Sequence, residues 1–315
     1  VNAHGLVIKS TGSWYSVRLP DGSLRECRLK GRIRLDGIKS TNPVVVGDTV
    51  HIQLDNNTIS GIAPRRNFLV RRSNNLSKYA HVIAANIDLA VLIVSEKNPR
   101  TSLGFIDRFL LTCQAYGIQA CLVLNKLDQL DQAEMAIANE RLSIYERLDY
   151  PTLRVSALTG THLAELKGIL NGKVSLISGH SGVGKSSLIN RLIPQAALRI
   201  GEVSKVNYKG KHTTTFAEML CLSDDSYLID TPGIKDFGLV HMDRHEVSHY
   251  FKEMAPLLAQ CKFGNCLHLE EPGCGVLHAL DNGLIDPRRY KSYVGIVMGD
   301  EEINNPDYLW RKTLD

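Results

Sequence analysis

The residues with the clearest chemistry are Gly179, His180, Ser181, Gly182, Val183, Gly184, Lys185 and Ser186, which follow an apolar run at 174–178 and precede a helix-like stretch at 187–192. Glycines in this pattern let the backbone curl so that successive N–H groups and a helix N-terminus face one anion. Lys185 adds a point charge for the terminal phosphates of a nucleotide, the Ser186 hydroxyl suits Mg²⁺, and Ser187 continues the donor set at the helix start. A chance glycine-rich turn needs no strand before it and no helix after it, so the pattern reads as a phosphate-binding loop. Downstream, Asp230, Thr231, Pro232 and Gly233 close another apolar run at 227–229. An aspartate at such a strand end can hold magnesium through water, and the Gly233 N–H can meet a γ-phosphate with no side chain in the way. Between the two motifs lie Lys209, Gly210, Lys211, His212, Thr213, Thr214 and Thr215. A switch loop needs a hydroxyl that reaches magnesium only while the γ-phosphate is present, and Thr214 is the candidate; a plain strand edge is the competing reading of the triplet.

A phosphate loop does not separate ATP from GTP. Asn125, Lys126, Leu127 and Asp128 do, because they follow the apolar run at 120–124. A carboxylate placed there accepts hydrogen bonds from the guanine N1–H and 2-amino group, a donor pair that adenine lacks. Each charge-assisted bond contributes about 1.5–3 kcal/mol. Asn125 braces the loop, and the Lys126 stem packs on the ring face. Ser156 and Ala157 follow a second strand-like run, with the Ala157 N–H facing guanine O6. A helix N-cap is the bland reading of the first motif, but two base-reading motifs on successive strands argue against it. The pattern predicts a GTPase, with GTP or GDP bound together with Mg²⁺ through Ser186, Thr214 and, by way of water, Asp230.

The chemical step is less legible. Many P-loop GTPases carry a glutamine after the glycine of the second switch; here Ile234 occupies the position and cannot orient water. Unassisted turnover is therefore expected within a few tens-fold of the ~10⁻⁴ s⁻¹ of unassisted Ras, with a partner accelerating it. His212 is the catalytic candidate, since imidazole titrates near neutrality. A switch-loop histidine without chemistry is the competing reading.

Cys261, Cys266, His268 and Cys274 offer three thiolates and an imidazole within a short, glycine-containing stretch. Four N/S ligands complete a tetrahedral shell and predict one structural zinc ion; His278 is a second candidate for the imidazole, and buried thiols without metal are the alternative. The other cysteines, at 27, 113, 121 and 221, are scattered, which argues against a disulfide framework.

These sites need scaffolds. At 315 residues, 43% hydrophobic and 22% charged, the chain can hold two or three globular domains. No apolar run is long enough to span a membrane, and the first residues carry no secretory leader, so a cytoplasmic, monomeric protein is expected. Residues 1–66 read as short strands, at 14–19, 24–29, 44–46, 49–54 and 58–63, and hence as a small barrel: an OB-fold binding RNA, with an SH3-like barrel not separable on sequence. Residues 67–238 alternate strands with helices, predicting a parallel α/β sheet, entered through a basic linker at 67–84. Residues 239–315 lack strand patterns and form a mainly helical zinc-binding domain. The net charge of +4 is small, but residues 61–84 hold Arg65, Arg66, Arg71, Arg72 and Lys78 with no acidic residue, which suits a polyanion or a solvated linker equally. Arg288, Arg289, Tyr290 and Lys291 suit docking on RNA or protein.

The nucleotide motifs run in permuted order: the base-reading pair at 125 and 156 precedes the phosphate loop. Reordering of this kind preserves a site when the original termini lie close together. A barrel, a permuted GTPase and a Cys/Cys/His/Cys module, in this sequence, resemble the RsgA (YjeQ) family of small ribosomal subunit biogenesis GTPases over the whole chain. The resemblance implies an OB-fold, GTP hydrolysis stimulated by the 30S subunit, contact with 16S rRNA and a role in 30S maturation. Two other classes compete: a passive GTP-dependent RNA-binding scaffold, and a P-loop kinase or ATPase, which Asn125 and Asp128 disfavour.

Overall fold

The structure is a computed structural model that describes residues 2–30, 43–71, 81–196, 218–230 and 242–299. His212, Thr214, Gly233 and Ile234 lie outside the described residues.

Five strands build the barrel: β1 (Asn2–Ser10), β2 (Tyr15–Arg18), β3 (Leu24–Leu29), β4 (Thr49–Gln53) and β5 (Thr58–Ile62). β1 pairs antiparallel with β2 and β4, β2 with β3, and β4 with β5, while β3 meets β5 in parallel. The ring β1-β2-β3-β5-β4-β1 has the connectivity of an OB-fold and resolves the choice the sequence left open. Val7, Tyr15, Val17, Cys27, Val50, Ile52 and Ile59 fill it. β1 escaped the sequence reading because Gly5 and polar residues interrupt its alternation; a Cβ at Gly5 would collide with Val17 Cγ1, so the tight crossing requires glycine. The strand expected at 44–46 does not form. Val44, Val45 and Val46 are buried, but only Val46 makes a bridge, to Ala84.

Part of the basic stretch after the barrel is paired within the chain, while Arg72 and Lys78 lie outside the described residues. Arg65 donates from Nε and Nη2 to the buried Asp48 carboxylate, each at 2.7 Å, and Arg66 pairs with Asp88 at 2.7 Å. Both charges are thus answered within the chain. Part of the expected linker is a ribbon, β6 (Phe68–Arg71) paired antiparallel with β7 (His81–Ala85).

β8 (Leu89–Val94), β9 (Gln119–Leu124), β10 (Thr152–Arg154), β11 (Val174–Ser178), β12 (Glu218–Ser223) and β13 (Ser226–Asp230) form the second sheet, in the order β10-β9-β8-β11-β13-β12. All neighbours are parallel except β12, an antiparallel edge that also meets β1 at Lys9↔Glu218. Both faces of β8 are buried, as a central parallel strand requires. Leu92 and Leu122 face α1 (Leu103–Ala115) and α2 (Gln132–Glu146), while Val91 and Val123 face α3 (Leu163–Leu170) and α4 (Lys185–Leu192). Ser102 caps α1, and Asp131 with Glu134 forms a capping box on α2. No described helix is long and apolar enough to cross a membrane.

Residues 242–299 contain short 3₁₀ turns, α5 (Gly275–Asp281) and α6 (Pro287–Met298), with no strand among the described residues. Asp286 caps α6, Pro287 opens it, and Gly299 ends it at φ +69°. At the basic start of α6, Arg289 turns inward, while Lys291 is exposed. Arg289, 3% exposed, donates to Asp107 of α1 at 2.6 Å and to Glu253 at 2.7 Å, and Tyr145 donates to the same Asp107 oxygen at 2.8 Å. Arg288 pairs with Asp286 and Glu140, and the Tyr290 hydroxyl donates to His268 O. Burial raises the Asp107 carboxyl, and the Arg289 guanidinium opposes it. Arg289→Ala would strand two buried carboxylates. An expected loss of about 3 kcal/mol, at the low end because an interface can admit water, is measurable by urea unfolding followed at the C-terminal module.

Candidate nucleotide and metal centres

The loop between β11 and α4 curls through Gly179, Gly182 and Gly184, at φ of +144°, +86° and +94°. Space as well as conformation demands glycine: a Cβ at Gly179 would collide with Ile93 O, and one at Gly184 with Asn125 Nδ2. Val183 is fully buried among the residues under α4, so it anchors the loop by packing. Ser181 is exposed and Ser186 and Ser187 are half-buried at the start of α4, whose first N–H groups have no side-chain cap. Lys185 Nζ turns into the loop and donates to Gly179 O and, at 2.7 Å, His180 O. Burial lowers its pKa, with Asp230 opposing; burial raises the Asp230 carboxyl, with Lys185 opposing. Asp230, at the end of β13 beside β11, therefore faces the loop as a desolvated carboxylate, a donor suited to a hard cation. His180 stacks on Phe105 of α1 with centroids 3.7 Å apart, and burial followed by Lys185 lowers its pKa.

The base-reading loops lie against this one. Asn125, 1% exposed, donates from Nδ2 to Val183 O at 2.9 Å and accepts from Ala157 N at 3.1 Å, so one side chain ties phosphate loop to both base-reading segments. The Ala157 N–H expected at guanine O6 is thus engaged with Asn125. Asp128, in a 3₁₀ turn, is exposed and accepts from the buried Ser156 hydroxyl. Lys126, at φ +69°, lays its stem beside Gly184 and donates from Nζ to Asn98 O. Burial lowers the Lys126 pKa, and Asp128 opposes. Sequence reading missed Arg191 of α4, whose Nε donates to Ala157 O at 3.0 Å and whose Nη2 donates to Leu158 O at 2.6 Å. An arginine on a helix face carries no local signal of such a role.

Cys261, Cys266, His268 and Cys274 converge, with ligand atoms all within 4.8 Å of one another. His268 Nδ1 stands 3.5 Å from Cys261 Sγ and 3.3 Å from Cys274 Sγ, and the two sulfurs are 3.9 Å apart. Tetrahedral zinc bonds of about 2.3 Å to sulfur and 2.0–2.1 Å to nitrogen place ligands roughly 3.5–3.8 Å apart, so the residues fit such an ion. Burial pushes the Cys266 thiol up to about 12, a cost that a bound divalent cation reverses. His278 is outside the group; its Nε2 lies 3.2 Å from Asn282 Nδ2. Burial opposes ionisation of Glu271, yet N–H groups of Leu267, Glu271, Leu269 and Glu270 hold its carboxyl at about 2, which fixes the turn after His268.

Residues 62–240 match the family model described as RsgA GTPase, and residues 4–62 match that of the RsgA N-terminal domain. The chain belongs to the RsgA GTPase family. It is 48% identical over 301 residues to small ribosomal subunit biogenesis GTPase RsgA 2 of Bacteroides thetaiotaomicron, covering 95% of this chain and 97% of that protein. Its identity to the Porphyromonas gingivalis RsgA of strain W83 is 49% over 313 residues, covering 96% and 99%. Among solved structures it resembles YjeQ from Thermotoga maritima at 33% identity, with a TM-score of 0.78 over 95% of this chain and 98% of that one. YloQ, a circularly permuted GTPase, matches at 26% identity and a TM-score of 0.74, covering 96% of each chain. Like other RsgA GTPases the chain is a GTP-hydrolysing enzyme of permuted order, with an N-terminal barrel and a C-terminal Cys/His cluster able to hold a metal ion.

Proposed function

We propose that the protein is a cytoplasmic, monomeric GTPase that acts in maturation of the 30S ribosomal subunit, contacts 16S rRNA and is stimulated by that particle. Support comes from relatives of nearly equal length that carry the name small ribosomal subunit biogenesis GTPase. The observation that carries the GTPase part is the Asn125 side chain bonded at once to Val183 O and Ala157 N, since it draws phosphate loop and purine loops into one pocket. In this reading residues 1–66 grip RNA, 67–238 hydrolyse GTP, and 239–315 bind one structural zinc through Cys261, Cys266, His268 and Cys274.

Asp128 accepts from guanine N1–H and the 2-amino group, and the Ala157 N–H turns from Asn125 toward O6. Lys126 covers the ring. The N–H groups of residues 179–187 cradle the phosphates, and Lys185 moves from its own loop carbonyls to the β- and γ-oxygens, a favourable exchange for a buried ammonium. Ser186, Thr214 and, through water, Asp230 would hold magnesium, which would supply positive charge to offset that of the phosphates. Gly233 senses the γ-phosphate and His212 handles the attacking water.

GTP turnover with purified 30S, 50S and 70S particles tests the reading. The expected result is slow hydrolysis alone and strong acceleration by 30S, with affinity for 30S falling steeply as salt rises. Equal rates with all three particles would remove the 30S assignment, and salt-insensitive binding would remove the RNA contact.

A further inference from the structure

We propose that Arg191 is a positioning residue for guanine recognition: it fixes the backbone at Ala157 and Leu158 so that the Ala157 N–H presents at the height of O6. The inference rests on the reading of Ala157 as the O6 donor given above.

Val155 and Ala157 of the loop after β10 are buried in the core. Leu158 is 71% exposed, so its side chain contributes no anchor. From Ala157 O onward the shape of the loop is therefore set by hydrogen bonds. On the N–H side, Ala157 N donates to Asn125 Oδ1, Thr159 N to Ser156 Oγ at 3.1 Å, and Gly160 N to Ser156 O at 2.9 Å. On the carbonyl side, the bonds to Ala157 O and Leu158 O come from Arg191. Two successive peptide planes are thereby held by one guanidinium, whose rigid fork suits two carbonyls at once; an ammonium on a flexible stem does not hold both in one geometry.

The origin of that fork gives it meaning. Arg191 lies in the same helix as Lys185, α4, roughly 9 Å along its axis at 1.5 Å per residue. The helix that starts at the phosphate loop thus ends on the base loop. Asn125 makes a second brace between the same two regions, from Val183 O to Ala157 N. With Arg191 removed, the two peptide planes that follow Ala157 are free to rotate, and the Ala157 Cα that carries the N–H loses the restraint on that side once the N–H leaves Asn125 for the base. The Ala157 N–H then spends less of its time aimed at the base.

Binding of GDP and of 6-thioguanosine 5′-diphosphate, which keeps N1–H and the 2-amino group but replaces O6 with a poorly accepting sulfur, to the full chain and to its Arg191→Ala and Arg191→Lys variants decides the matter by calorimetry. The wild-type protein is expected to prefer GDP. Arg191→Ala should weaken GDP roughly five- to tenfold, the worth of about one neutral hydrogen bond, and leave the analogue within about twofold. Arg191→Lys should fall between. A wild-type protein that binds both nucleotides equally would sink the O6 reading itself. Preserved discrimination in Arg191→Ala would sink the role of Arg191 while leaving that reading intact. An equal loss for both nucleotides would reduce Arg191 to general support of the fold and overturn the proposal.

Discussion

Stripping the metal from Cys261, Cys266, His268 and Cys274 is expected to unfold the segment 255–285 while leaving the two sheets intact. The module has little else to order it. Its interior includes Cys266 and Cys274 themselves, packed with Val247, Phe251, Met254 and Val276, and much of its chain lies in 3₁₀ turns and loops. Structural zinc contributes about 10–16 kcal/mol in small zinc-finger peptides, where binding and folding are one event. The effect here should be partial at one end. α6 stays attached through Arg289 to Asp107, and its Tyr293 hydroxyl donates to Leu267 O. Cys274 also caps α5, its Sγ accepting from Leu277 N at 3.4 Å, so Cys274→Ala removes a ligand and a cap together, whereas Cys261→Ala removes a ligand alone. Hydrogen exchange after chelation reads the result. The amides of Lys262, Cys266 and His278, bonded to Gly273 O, Phe263 O and Cys274 O, should lose protection, and those of β8 and β11 should keep it. Unchanged protection at 262, 266 and 278 in protein shown to be free of metal would refute a structural ion.

The groups most legible in the sequence were so for one reason. The phosphate loop and the cysteine cluster each complete their geometry within a short stretch of chain, so spacing alone carries the information. The α/β alternation was legible for the same reason: the core faces of β8, β9 and β11 repeat locally. What escaped depends on partners far apart in sequence. Arg65 and Arg66 look like part of an unanswered basic run because Asp48 and Asp88 lie outside it. Arg289 looks like a docking residue because its carboxylate, Asp107, is on the first helix of another domain. Arg191 looks like an ordinary helix surface residue because its acceptors are backbone carbonyls, which every residue has. β12 has one neighbour from the barrel and one from the sheet, and its antiparallel sense depends on both.

Asp128→Asn is expected to weaken GTP binding by two to four orders of magnitude and to admit xanthosine triphosphate in its place. The carboxylate offers two acceptors, matching the N1–H and 2-amino donors of guanine; at about 1.5–3 kcal/mol for each charge-assisted bond, losing the match costs about 3–6 kcal/mol. Xanthine keeps N1–H but carries a carbonyl at the 2-position. An amide meets that edge with its oxygen toward N1–H and its NH₂ toward the carbonyl, and no buried group is left unpaired. The surroundings favour this orientation. Ser156 Oγ donates to Asp128 Oδ1 in the structure, and an amide oxygen in that place keeps the bond, which turns the NH₂ outward to the base. The phosphate grip should not change, because Lys185 and the N–H groups of its loop are held by Gly179, His180 and Asn125, none of which touches the altered atom. Competition of unlabelled GTP and xanthosine triphosphate against a fluorescent nucleotide separates base from phosphate effects. Loss of GTP with gain of xanthosine triphosphate assigns Asp128 to the purine edge. Loss of both by the same factor would mean that the carboxylate serves the loop and not the base, and unchanged GTP affinity would place the guanine elsewhere altogether.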